Sequence, residues 1–165
     1  AKDNEIDEYR LSVLAGYRRS KAEVLARMEQ RKQSKPQHKK QDDSYISLTE
    51  LARNHSKNTP GYVIQSWLRS ENTLAFLNLW EQENNPDYRE AGYIELLEKK
   101  KTASFTLTPK LWIEKTKAIG IASKQGKGGG TFAHPMIGCE FASWISPEFK
   151  MLLLKLSLDR ERLQA

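Results

Sequence analysis

The sequence predicts an α+β fold, mostly helical, with one small β-hairpin and a helical extension at the N-terminus. Three observations lead there. Apolar residues recur at three- and four-residue steps through most of the chain, the period of an amphipathic helix. Ser-Leu-Thr-Glu at 47–50, Thr108-Pro109 and Ser146-Pro147 have the chemistry of helix starts. A glycine-rich run at 126–130 separates two short stretches that alternate, as the turn of a hairpin does.

Ile6, Tyr9, Val13, Tyr17, Val24 and Met28 predict an amphipathic helix over residues 5–30, loosened at Gly16. Such a helix must bury its stripe on the main domain or on a partner chain. Residues 31–43, RKQSKPQHKKQDD, hold no apolar residue other than Pro36. That run cannot offset its ordering entropy by burial and reads as a polar, basic linker. The chain therefore divides into a helix within 1–30, a linker at 31–43 and one domain over 44–165.

In the domain, Ser47 as N-cap and Glu50 at the third helical position form a capping box. A short helix over 48–54 follows, with Leu48, Leu51 and Ala52 inward. After the polar turn HSKNTPG, a second helix over 62–69 turns Val63, Ile64, Trp67 and Leu68 inward. A third opens after Asn72 or Thr73, buries Leu74, Leu77 and Trp80, and stops at Asn84-Asn85-Pro86. Residues 91–101 follow a helical pattern, and 105–107 read as a short strand. Thr108-Pro109 starts a helix that ends at Gly120. Ile119, Ile121 and Ser123 alternate toward the glycines, and 131–133 return as the second strand. Pro135 and Ser146-Pro147 open two last helices. Their apolar positions include Met136, Phe141, Trp144, Ile145, Phe149, Leu152, Leu153, Leu156 and Leu163.

Composition limits the function. The 165 residues include 27 Lys and Arg against 21 Asp and Glu, a net charge of +6, which favours an acidic partner such as nucleic acid. One cysteine, Cys139, excludes an intramolecular disulfide; its apolar neighbours suggest a buried structural thiol. No apolar run approaches the roughly 20 residues of a membrane span, and AKDNEIDEYR at the start has no signal region. A cytoplasmic protein with no membrane partner is expected. His38, His55 and His134 lie far apart, without a carboxylate or cysteine at ligand spacing. No catalytic residue, metal site or cofactor is expected. Glu140 and Glu148 read as surface charges, and Lys99 to Lys101 as a solvated helix end.

The stretch GKGGGTFAHP at 126–135 asks for more. A phosphate-cradling loop needs GxxxxGK and then Ser or Thr. Counting back from Lys127 puts Ile121 where the first glycine belongs, and Gly128 follows the lysine. The nucleotide reading fails. A hairpin tip remains, with Lys124, Gln125 and Lys127 around Gly128, Gly129, Gly130 and Thr131. Glycines there accept positive φ and let backbone N–H groups approach phosphates. Taken alone they favour a plain surface turn. The preceding helix–turn–helix pattern shifts that balance, although its turn is longer than the usual three or four residues. Its second helix turns Gln65, Ser66 and Arg69 outward, residue types that read base edges. A solvated helix face is the plainer alternative.

Four blocks resemble the KilA-N domain family of phage and bacterial proteins. They are YISLTELAR at 45–53, VIQSWLRSENTLAFLNLWEQENNP at 63–86, SFTLTPKLWIEKTKAIGI at 104–121 and GGTFAHPMIGCEFASWISPEFK at 129–150. That family is similar to the fungal APSES DNA-binding domain. The resemblance implies a winged-helix-like α+β core that binds double-stranded DNA, with 62–69 as the recognition region and 126–131 as the wing. Family members commonly open with a strand leading into the tyrosine block, whereas a polar linker precedes Tyr45 here.

The expected function is non-enzymatic DNA binding, regulatory and related to phages or mobile elements. Lys124, Lys127 and the loop N–H groups would meet phosphates or the minor groove. Gln65 and Arg69, with Ser66 beside them, would approach bases; Arg53, Lys57, Lys115 and Lys117 would add backbone contacts. His134 reads as a helix N-cap or a DNA contact. Two alternatives stay open: a protein-interaction module that self-associates or binds a partner protein through 5–30, and RNA binding.

Overall fold

The computed structural model describes residues 44–164 and, ahead of them, Ala26 alone. The chain falls into two units, Ala1–Lys39 and Lys40–Ala165, and every described residue but Ala26 belongs to the second. The helix expected over 5–30 and the linker over 31–43 lie outside the described residues, Ala26 excepted.

Strand β1 (Ile46–Ser47) opens the described chain. Ser47 then caps α1 (Leu48–His55), its Oγ accepting the Glu50 N–H at 3.1 Å. Helix α2 (Pro60–Leu68) starts two residues before the expected position, because Thr59 serves as N-cap and Pro60 fits the first turn. Residues 56–59 alone separate α1 from α2, so the turn has the usual helix-turn-helix length and not the longer one expected. Helix α3 (Glu71–Asn84) likewise opens at Glu71, with Ser70 as N-cap. Helix α4 (Glu90–Lys99) packs against α5 (Pro109–Thr116), where Thr108 Oγ1 accepts the Leu111 N–H at 3.2 Å.

Two expectations fail in this middle stretch. Residues 105–107 form no strand: Phe105 N–H bonds back to Thr102 O, and Leu107 is drawn into the core. Helix α5 also stops at Thr116, short of Gly120. Lys117 is left-handed there (φ 54°, ψ 34°), with its N–H on Ile113 O. A lysine in that region costs roughly 1–2 kcal/mol, so contacts elsewhere must hold it.

Strands β2 (Ile121–Lys124) and β3 (Gly130–Ala133) form the expected hairpin, closed by the pair Lys124 and Gly130. Strand β1 lies on the other side of β3, antiparallel, with Ile46 opposite Ala133. The sheet order is β1-β3-β2, so the edge strand falls within the tyrosine block itself. The fold is α+β and mostly helical around this three-stranded sheet. Helices α6 (Pro135–Ile145) and α7 (Pro147–Gln164) complete it.

The core gathers the inward side of every helix up to α6. Leu48, Trp67, Leu74, Leu77, Trp112 and Phe141 are fully buried, and the Trp67 and Phe141 rings meet edge to face at 5.0 Å. Helix α7 departs from that scheme. Phe149 and Leu153 are half-buried, yet Met151, Leu152, Leu154, Leu156 and Leu158 are each at least half exposed. The expected apolar positions Leu152 and Leu156 thus stand on the surface. Among the described residues no helix is long and apolar enough to cross a membrane.

Candidate nucleic-acid interface

The hairpin tip is built by its glycines. Gly126 (φ 90°) and Gly128 (φ 74°) take left-handed conformations that a side chain would strain. Gly129 N–H closes the turn on Gly126 O at 3.0 Å. A Cβ on Gly130 would lie 2.6 Å from Thr49 Oγ1, and Thr131 N–H donates to that same oxygen at 3.0 Å. The tip end of the hairpin is thereby pinned to the first turn of α1. Gln125, Lys127 and Gly128 are exposed; Lys124 Nζ stands over the Phe132 ring, 5.1 Å from its centroid.

Helix α1 carries positive charge onward from that joint. Arg53 lies one turn beyond Thr49, on the same stripe, and pairs with Glu50 at 3.0 Å while both remain largely exposed. Exposed pairs of this kind contribute at most about 1 kcal/mol, so a phosphate competes readily for the arginine. Lys57 is exposed in the turn that follows. On α2 the outward positions are Tyr62, Gln65, Ser66 and Arg69, steps of three and four. Tyr62 is 52% exposed, with the Arg69 guanidinium 5.9 Å from its ring centroid; Gln65 and Ser66 are half-buried.

Other expected contacts stand elsewhere. Lys115 Nζ is 3.0 Å from Glu95 Oε1, on the α4 side, and the bonds from Lys115 and Lys99 hold the Glu95 carboxyl below its ordinary range. Glu95 and Lys115 border an open depression of about 400 Å³ with Arg89, Gly92 and Glu114. Thr131 is only 8% exposed, with its N–H used by Thr49. His134 caps α6, its Nδ1 accepting the Met136 N–H at 3.1 Å. Its ring packs between Trp80 and Tyr45, at 5.0 and 6.1 Å. Lys117 is exposed.

Three side chains take parts that their sequence positions did not announce. Lys100 is half-buried and donates to the Arg69 carbonyl at the end of α2, so the lysine run is not wholly solvated; burial pushes its ammonium down. Glu140 is no free surface charge: Oε2 accepts the Trp67 indole N–H at 2.5 Å. Burial pushes its carboxyl up, against the pull of that bond and of Lys150. Cys139 is half-buried, where full burial was expected.

Glu81 is the third, and it belongs to the hairpin's root. It is 1% exposed on α3. Its Oε1 accepts Ile119 N–H at 3.0 Å and Gly120 N–H at 2.7 Å; Oε2 accepts from Asn85 Nδ2 at 2.8 Å. Asn85 Nδ2 also reaches Lys117 O at 2.8 Å, which helps to hold the left-handed lysine. Burial raises the Glu81 carboxyl, against the bonds from Gly120, Asn85 and Ile119 that lower it. Nothing in the local pattern distinguishes Glu81 from an ordinary helix-surface charge.

Among the described residues no three His, Cys, Asp or Glu side chains gather as a metal site requires. What the fold presents is a small α+β module with a basic hairpin tip joined to a pair of short helices. The KilA-N domain family matches residues 29–160, and the chain belongs to that family. Protein kilA of Escherichia phage P1 is 46% identical over 39 residues, 24% of this chain and 15% of that protein. The match thus spans a small part of that relative's length. No solved structure matches.

Proposed function

We propose that the chain binds double-stranded DNA through the hairpin as a wing and α1–α2 as a helix-turn-helix. The observation that carries this reading is the joint at Thr49, which fixes the Gly/Lys tip against α1 in a chain of the KilA-N family. Lys124, Lys127 and the loop N–H groups meet phosphates or the minor groove, and Arg53, Lys57 and Lys117 add backbone contacts. Arg69, with Gln65 and Ser66, approaches base edges. Lys115, Thr131 and His134 leave the proposed set, because Glu95, Thr49 and the α6 cap engage them. The role is non-enzymatic, cytoplasmic and regulatory, in a phage or mobile-element setting.

Phosphate contacts make affinity fall steeply with salt. Lys127→Ala is expected to weaken binding to every duplex and lower the salt slope by about 1. Fluorescence anisotropy on random duplex, single-strand and RNA probes over a salt series measures this. An unchanged slope removes Lys127 from the contacts; failure to bind duplex near physiological salt sinks the reading, and preference for RNA replaces it.

Self-association is a second reading, favoured by the leucines exposed on α7. A second copy of the chain is its occupant. Over 147–164 that helix carries four basic residues against three acidic ones, a net charge of only +1, so two copies meet there with little of the repulsion of a basic surface. Sedimentation equilibrium is expected to show a dimer that Leu154→Glu with Leu158→Glu reduces to monomer; a monomeric wild type excludes this reading.

A further inference from the structure

We infer that Glu81, a buried carboxylate on α3, is the positioning residue for the wing and sets the chain's affinity for DNA without touching it. The inference rests on the proposed DNA reading for its consequence, but on geometry for its premise.

The premise is the accounting of hydrogen bonds at Ile119 and Gly120, the two residues ahead of β2. Both N–H groups donate to Glu81. Ile119 O accepts from Tyr45 OH at 2.7 Å, and Gly120 O from His134 N–H at 2.9 Å. Three of these four backbone groups are thus held by side chains from outside the hairpin, and the fourth, Gly120 O, continues the register of its ladder through His134. Gly120 cannot shift inward, since a Cβ there would lie 2.5 Å from Ile137 and 2.8 Å from Trp80. Tyr45 and His134 lie beside the ends of β1 and β3, and His134 also caps α6. Glu81 is the side chain that holds both N–H groups of this root to α3, and Asn85 extends the grip to Lys117 O.

The consequence follows from leverage. Strands of four residues carry the tip roughly 13 Å beyond the root. The tip end of β3 is also held to α1 at Thr49, so loosening 119–120 leaves the hairpin to turn about that joint and shifts Lys124 and Lys127 against the helices, enough to break directional phosphate contacts. With Gln at 81, one oxygen remains for two N–H donors and an amide nitrogen faces Asn85 Nδ2. Asn85 then loses either its acceptor at 81 or its bond to Lys117 O.

Two measurements test this. Hydrogen exchange reads positioning without DNA: in Glu81→Gln, amides of 121–124 and 131–133 are expected to exchange about tenfold faster, with those of α2 and α6 unchanged. Equal protection of the hairpin in Glu81→Gln and wild type overturns the inference, as does uniform loss across the whole domain. The salt slope of duplex binding, which is insensitive to the folded fraction, reads the consequence. Lys124→Ala with Lys127→Ala is expected to lower it by about 2. Glu81→Gln is expected to lower it part of the way and to add nothing to the lysine pair. A further drop in the combined variant overturns the positioning role. A lysine pair with wild-type slope overturns the DNA reading instead, whatever the exchange result.

Discussion

Gly92→Ala is expected to lose about 3 kcal/mol of stability, roughly 10 °C in melting temperature. Gly92 is buried in the first turn of α4, where that helix crosses the end of α5. A Cβ at this position would lie 2.0 Å from Lys115 O and 2.5 Å from Lys115 C. These are backbone atoms, so no rotamer change relieves the overlap; one helix must move away from the other. The joint also carries Arg89 N–H on Thr116 O at 2.8 Å, and separation would strain that bond. Gly61 is the control. It sits at the start of α2 with nothing within 4 Å of an added Cβ, and alanine there should stabilise slightly, because glycine loses more entropy on ordering. Thermal melts of both variants decide the matter: a Gly92→Ala melt within about 2 °C of wild type would falsify the crossing as the cause.

Gly92 also marks where a sequence stops being legible. Local chemistry announced the Ser47 N-cap, the Thr108-Pro109 start and the hairpin around Gly126 to Gly130, because in each case the residues that act are neighbours in the chain. The helical stripes were readable too, down to Trp67 and Trp80. What escaped depends on distant partners. Gly92 matters because of Lys115; Glu81 meets Ile119 and Gly120; Glu140 meets Trp67 across 73 positions. A carboxylate with such a partner looks no different in sequence from a solvated one. The end of α5 was misplaced for the same reason. Local rules assign the left-handed stop to a glycine, whereas Lys117 takes it, with Asn85 of the preceding α3–α4 link on its carbonyl. Of the proposed interface, the tip lysines and the outward face of α2 were readable from pattern. The joint at Thr49 that unites them was not. On α7 the apolar residues were legible and their exposure was not, since periodicity identifies a stripe and leaves its cover unspecified.

Trp67→Ala is expected to have the largest effect on stability, about 3–5 kcal/mol, and its size should depend on pH. The side chain is fully buried and packs on Phe141, so truncation opens a cavity at any pH. It also removes the N–H that serves Glu140 Oε2, leaving a half-buried carboxylate without that donor. The second loss is felt only while Glu140 is ionised. Burial already holds the Glu140 carboxyl above its ordinary range in the folded state. The folded chain therefore binds this proton more tightly than the unfolded chain, whose value is about 4.3. This group's contribution to stability is thus full below about pH 4.3 and is lost as pH rises through the folded value. Glu140→Gln keeps an oxygen for the indole and has no proton to lose. It should melt above wild type near neutral pH, with the gap closing by about pH 4. The Trp67→Ala penalty should shrink on acidification in the wild-type background and stay constant when Gln stands at 140. Melts of the four proteins at the two pH values form a double-mutant cycle in which packing cancels and the indole–carboxylate coupling remains. A penalty that is the same at both pH values in both backgrounds would leave packing as the whole role of Trp67 and return Glu140 to the solvent.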